Sequence, residues 1–131
     1  MAEIQSSSTG LSGEYFVAAE LLRRGYCVGI TMGNAKAIDI LAEKGGKNFT
    51  IQVKSIFKAK NNGWPMMQGK VLKGLYYVFV NLSGDTMGAP QFFVATSEEA
   101  FQKVKQYETR GIVLLSTLSN ALFQDRWDKL S

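Results

Sequence analysis

Ala37-Ile38-Asp39-Ile40-Leu41-Ala42 and Phe49-Thr50-Ile51-Gln52-Val53-Lys54-Ser55-Ile56-Phe57, joined through Lys44-Gly45-Gly46-Lys47, form the segment on which the fold turns. Both runs are rich in β-branched and aromatic residues, and the Gly-Gly pair supplies the left-handed backbone that a two-residue hairpin needs. With Gly45 and Gly46 as the turn, Asp39 faces Gln52, Leu41 faces Thr50, Ile40 faces Ile51, Ile38 faces Val53 and Ala42 faces Phe49. Side chains alternate between sheet faces, so one face is wholly apolar while the other gathers Asp39, Gln52, Thr50 and, diagonally from Asp39, Lys54.

Upstream, a helix is expected from Ser8 or Thr9 to Arg24, stopped by Gly25 in the C′ position, after a frayed arm of about eight residues. Its apolar stripe reads Leu11, Tyr15, Ala18, Leu21 and Leu22, with Glu14 on the same face. There Glu14 is either a first-turn carboxylate favoured by the helix dipole or a carboxylate aimed at a site. Tyr26 to Thr31 reads as a strand, with Cys27 as a small buried hydrophobe.

Downstream, Lys58 to Gly74 has no clear period and reads as a basic loop or a short irregular helix. Leu75 to Leu82 is almost continuously apolar, as in a strand covered on both faces, and Gln91 to Ala95 pairs with it through the Ser83 to Gly88 turn. Thr96-Ser97-Glu98-Glu99 opens a helix with a capping box, predicted to reach about Glu108 on a stripe of Ala100, Phe101, Val104 and Tyr107. Gly111 to Leu115 is a strand or a hydrophobic connection, and Leu118 to Leu130 a terminal helix anchored by Leu122, Phe123 and Trp127. This order of elements predicts one α/β domain, residues 1–131, around a mixed sheet.

Composition narrows the chemistry. The chain has no histidine, which excludes imidazole bases, Ser-His-Asp and Cys-His nucleophiles and His-ligated zinc. A single cysteine excludes internal disulfides. No apolar run reaches the roughly 20 residues that span a bilayer, and the N-terminus lacks a signal peptide's apolar stretch, so a cytoplasmic protein with no membrane partner is expected. The net charge is +4. From Lys44 to Gly84 there are seven lysines and no Asp or Glu, which is either a solvated basic face or a phosphate-contacting one.

Glu14, Asp39, Gln52 and Lys54 together resemble the site of the PD-(D/E)XK nuclease superfamily, over residues 9–57. The resemblance rests on a Gly-rich helix start with an inward Glu (Gly10-Leu11-Ser12-Gly13-Glu14), a hairpin strand opening on Asp (Ile38-Asp39), and a next strand in which Gln52-Val53-Lys54 stands for Glu-x-Lys. Small prokaryotic endonucleases related to Holliday-junction resolvases look particularly similar. Gln52 departs from the pattern and removes one ligand charge, although some members carry Gln there. The resemblance implies a restriction-endonuclease-like αβββαβ core, a mixed central sheet flanked by helices, and hydrolysis of DNA phosphodiesters leaving a 5′ phosphate. It also implies Mg²⁺ or Mn²⁺ held by Asp39, Gln52 and the Val53 carbonyl, with Glu14 either binding through water or completing the shell.

Elementary chemistry agrees with that set. Mg²⁺ takes hard oxygen ligands and keeps several waters. Lys54 is suited to orient the attacking water and to offset charge building on the phosphate. Lys58, Lys60, Lys70 and Lys73 are expected to contact DNA phosphates, with Trp64 either stacking on bases or forming a lid over the core. Cutting both strands together from so small a chain favours a homodimer. The alternatives are a nucleic-acid-binding module on the same fold that has lost catalysis, and a protein-interaction subunit.

Overall fold

The computed structural model describes residues 4–31, 37–58 and 61–131. In chain order the elements that matter are α1 (Ser6–Arg23), β1 (Cys27–Ile30), β2 (Ile40–Lys44), β3 (Lys47–Ile56), β4 (Gly63–Pro65), β5 (Tyr76–Asn81), β6 (Gln91–Thr96), α2 (Ser97–Lys103), β7 (Lys105–Gln106), β8 (Gly111–Leu114) and α3 (Leu115–Leu118). The hairpin follows from its glycines. Gly45 and Gly46 have φ of +59° and +79°, the left-handed pair of a type I′ turn. β2 and β3 are antiparallel, with Ile40 opposite Ile51, Leu41 opposite Thr50 and Ala42 opposite Phe49, as expected.

β5 runs parallel to β3, while β1 on β2 and β6 on β5 are antiparallel, which gives a mixed five-stranded sheet in the order β1-β2-β3-β5-β6. The mixed α/β architecture is therefore the expected one. A parallel pair needs a long crossover, most often a helix. Here the crossover from β3 to β5 carries β4 and a short 3₁₀ turn, Gln68–Lys70, and among its described residues no α-helix. β4 leaves the main sheet to join β8 and β7 in a small second sheet.

The core has two parts, one on each face of the main sheet. Val17 and Leu21 of α1 pack on Ile40, Ile51, Val78 and Val80, together with Trp127 and Leu130 from the C-terminus. On the other face Tyr77, Phe79 and Phe93 pack against Trp64, Val104, Val113 and Phe123.

Several expectations are corrected by this packing. α1 starts at Ser6, two residues early, and buries Gly13, Val17, Ala18 and Leu21, leaving Leu11, Tyr15 and Leu22 exposed. The cause is Gly13, where a Cβ would overlap the Ser55 Oγ, so the helix rolls its glycine against β3 and its larger residues outward. Cys27 is exposed on edge strand β1. α2 ends at Lys103 because Val104 is extended (φ −68°, ψ 126°) and leads into β7, which leaves Phe101 and Tyr107 exposed. The tail does not form one helix. Phe123 belongs to the core on one face and Trp127 to the core on the other, and no straight helix reaches both. The chain instead wraps the free edge of β6, with Val94 N donating to Phe123 O (2.9 Å) and Asp125 N to Phe92 O (2.9 Å), which also covers an otherwise unpaired strand edge.

Candidate active site

Asp39 stands one residue before β2, where the hairpin ladder changes partners. Thr31 N donates to Asp39 O (3.0 Å), so Asp39 remains paired to the β1 side, while its own N donates to Ile51 O (2.9 Å). On the β3 side Val53 N donates to Asp39 Oδ2 (2.7 Å), so the side chain takes the rung that a main-chain carbonyl would fill in a regular ladder. Asp39 is only 6% exposed. Ile38 consequently does not face Val53 as the regular register predicts, but packs against the Trp64 side of the core. Within a strand a residue's N–H and C=O point to the same side, so the Val53 carbonyl is directed, like its N–H, towards Asp39.

Gln52 and Lys54 flank Val53, and alternation sends both side chains to the face opposite α1. There they line a cleft of about 630 Å³ between the main and small sheets, together with Met66, Lys70, Thr109 and Arg110. Among the described residues no Asp or Glu lines it. The ion pairs among the described residues join Arg23 and Arg24 to Glu20, Lys58 to Asp85, Arg126 to Asp128 and Lys129 to Glu99. A buried Asp39–Lys54 pair, the purely structural use of these residues, is not among them.

Glu14 lies within the buried arc of α1, between Leu21 and Ala18 in angle. It follows Gly13, which rests on Val53 and Ser55. α1 and the start of β2 thus both meet β3 around Val53, α1 through Gly13 on Val53 and Ser55 and Asp39 through the Val53 N–H, while Gln52 and Lys54 project into the cleft on the opposite face. Among the described residues no three Asp, Glu or Cys side chains gather as a metal cluster. The oxygens of the predicted set belong to two carboxylates, one amide and one carbonyl. All are hard oxygens, which fit an ion of the Mg²⁺ type that retains much of its water.

The residues expected to touch DNA are distributed otherwise than the linear block implies. Trp64 is 1% exposed, donates its Nε1–H to Val80 O (3.0 Å) and lies edge-on to Phe79 and Phe93 (ring centroids 5.2 and 5.7 Å). It is a core residue with no ring face left for a base, contrary to the expectation that it contacts nucleic acid. Lys70 lines the cleft, Lys58 sits 3.7 Å from Asp85, Lys73 lines a separate hollow of about 270 Å³ beside Phe101, and Lys60 lies outside the described residues. Lys44 donates to Arg24 O (2.9 Å) at the end of α1, where a cation meets the helix dipole. Thr109 and Arg110 reach the cleft from the turn between β7 and β8. Sequence reasoning missed both, since nothing near them in the chain announces which sheet that turn will border.

No helix among the described residues is long and apolar enough to cross a membrane. Neither a protein-family model nor a curated protein matches the chain. Among solved structures, the fold is similar to that of the bacterial homing endonuclease I-Ssp6803I, with a TM-score of 0.64 and 11% identity over 96% of this chain and 93% of that one. At that identity the likeness is one of fold: a mixed five-stranded sheet flanked by helices, shared with that endonuclease.

Proposed function

We propose that the chain is a divalent-metal-dependent DNA endonuclease with a PD-(D/E)XK-type site made of Glu14, Asp39, Gln52 and Lys54. The observation that carries this reading is Asp39 docked on Val53 N while Gln52 and Lys54, on either side of Val53, open into one acid-free cleft. The fold shared with a homing endonuclease supports DNA as the substrate. Asp39, the Gln52 side-chain oxygen and the Val53 carbonyl would hold Mg²⁺ or Mn²⁺, with Glu14 as a further oxygen donor. Such an ion supplies charge neutralisation at the phosphate and acidifies a water.

The chain's own residues do the rest. Lys54 holds the attacking water in line with the scissile bond and offsets charge on the phosphoryl oxygens. Asp39, kept in one rotamer by Val53 N–H, orients that water's environment. One copy carries one such site, so cutting both strands together calls for a homodimer.

Conversion of supercoiled plasmid to nicked circles in Mg²⁺ or Mn²⁺ tests the proposal. Asp39→Ala and Lys54→Ala are each expected to slow nicking about 10²- to 10³-fold, the scale for removing one group that stabilises charge developing in the transition state. Absence of metal-dependent nicking, or nicking that survives both substitutions, overturns it. Gln52 favours a second reading, a binding module that has lost cleavage. Gln52→Glu separates the two: a metal site gains affinity and keeps or gains activity, whereas a structural amide network loses stability to an unpaired charge.

A further inference from the structure

We propose that the β7–β8 turn is a phosphate-binding wall of the cleft, with Arg110 gripping a DNA phosphate beside the one held at Lys54; this deepens the endonuclease reading and rests on it. The turn is closed by Tyr107 N donating to Arg110 O (2.7 Å). The Gln106 amide braces it from inside, donating to Tyr107 O (2.6 Å) and Arg110 O (3.0 Å) while its oxygen accepts from Gln68 N (2.7 Å) in the crossover. Met66 N donates to Gly111 O (3.0 Å), and a Cβ on Gly111 would overlap the Met66 carbonyl oxygen. The small sheet is thereby bolted to the segment that carries Lys70, and the turn holds its position without a ligand.

Arg110 is arranged for an anion. Its guanidinium lies over the Tyr107 ring, 6.0 Å from the centroid, which narrows its rotamers and presents a planar fork suited to two phosphate oxygens. None of the ion pairs among the described residues involves Lys54, Lys70 or Arg110, and all three line the same cleft with no acidic residue. Like charges held around one hollow repel, and a bound anion relieves that repulsion. Lys54 comes from the main sheet and Arg110 from the small one, so a single phosphate at Lys54 leaves the second wall unused. A backbone with consecutive phosphates uses both.

The test measures binding of a fluorescent 20-base-pair duplex across a salt series without divalent metal, alongside plasmid nicking in Mg²⁺. Arg110→Gln is expected to weaken binding roughly tenfold, as for one charge-assisted contact, and to reduce the salt slope by about one. In nicking it raises KM and leaves kcat within a few-fold. Arg110→Lys keeps the slope but binds more weakly than the parent chain, because the fork is lost. Arg110→Gln with unchanged affinity and slope overturns the wall, even if the parent enzyme nicks DNA and Lys54→Ala does not, in which case the endonuclease reading stands alone. A parent chain that binds but does not nick removes the endonuclease reading, and the slope of Arg110→Gln still decides the wall. A parent chain that does not bind the duplex removes both.

Discussion

Gly13 sits in the interior of α1, where glycine costs about 0.5–1 kcal/mol of helix stability relative to alanine. The close approach of α1 to β3 offsets that cost, since even one methyl there would overlap the Ser55 hydroxyl. Gly13→Ala is therefore expected to lower stability by about 1–3 kcal/mol, the range for overpacking, as read by urea unfolding. Ser55→Gly in the same chain should recover part of that loss, and a double-mutant cycle gives the coupling. Ser55→Ala alone is expected to be nearly neutral, because the buried Ser55 Oγ has no hydrogen-bond partner among the described residues and nothing is orphaned by its removal. That Glu14 falls beside the buried arc of the helix, where it is half-buried, was legible from helical spacing. The roll of the helix was not, because it depends on which side chain of β3 lies beneath the glycine.

At the scale of elements, the capping box of α2 is a local device and forms as read: Thr96 Oγ1 accepts from Glu99 N (3.2 Å) and Glu99 Oε1 accepts from Thr96 N (2.9 Å). The structure adds a second use, since Lys129 Nζ from the wrapped tail donates to the same Oε1 (2.9 Å). Burial pushes the Glu99 carboxyl up, but the bond from Thr96 N–H and the bond and charge of Lys129 outweigh it and hold its pKa below the ordinary 4.5. A carboxyl with a depressed folded-state pKa contributes stability that is complete above its unfolded value and lost as pH falls through the folded one. Urea midpoints are thus expected to drop as pH is lowered from about 4.5, and Glu99→Gln should flatten that limb while lowering stability at neutral pH. α2 is shorter than its apolar stripe predicts for a related reason, because Val104 reaches the core by leaving the helix.

For the whole molecule, Trp64 is the joint between the two sheets. Trp64→Ala removes the ring from beneath Phe79 and Phe93 together with its bond to Val80 O, and should cost about 3–5 kcal/mol. It should also loosen the wall that carries Arg110, so that duplex binding falls although Trp64 is buried and touches no substrate. Trp64→Phe is expected to retain most of both, and thermal unfolding beside the duplex titration checks the pair. The lysines scatter for the same large-scale reason. The crossover from β3 to β5 folds back as β4, so residues close in sequence leave on different surfaces.

Features in which a residue acts on neighbours a few positions away were readable in advance: the Gly45-Gly46 turn and its register, the stop at Gly25 (φ +93°), the Thr96–Glu99 cap and the alternation that places Gln52 beside Lys54. Their energies are set by local backbone conformation and short hydrogen bonds, which neighbouring residue types specify. The shift of Asp39 from ladder residue to side-chain acceptor, the burial of Trp64, the entry of Arg110 into the cleft and the tail wrapped around β6 join positions far apart in the chain. Their energies depend on which surfaces meet once the sheet has formed, and no short stretch of sequence encodes that.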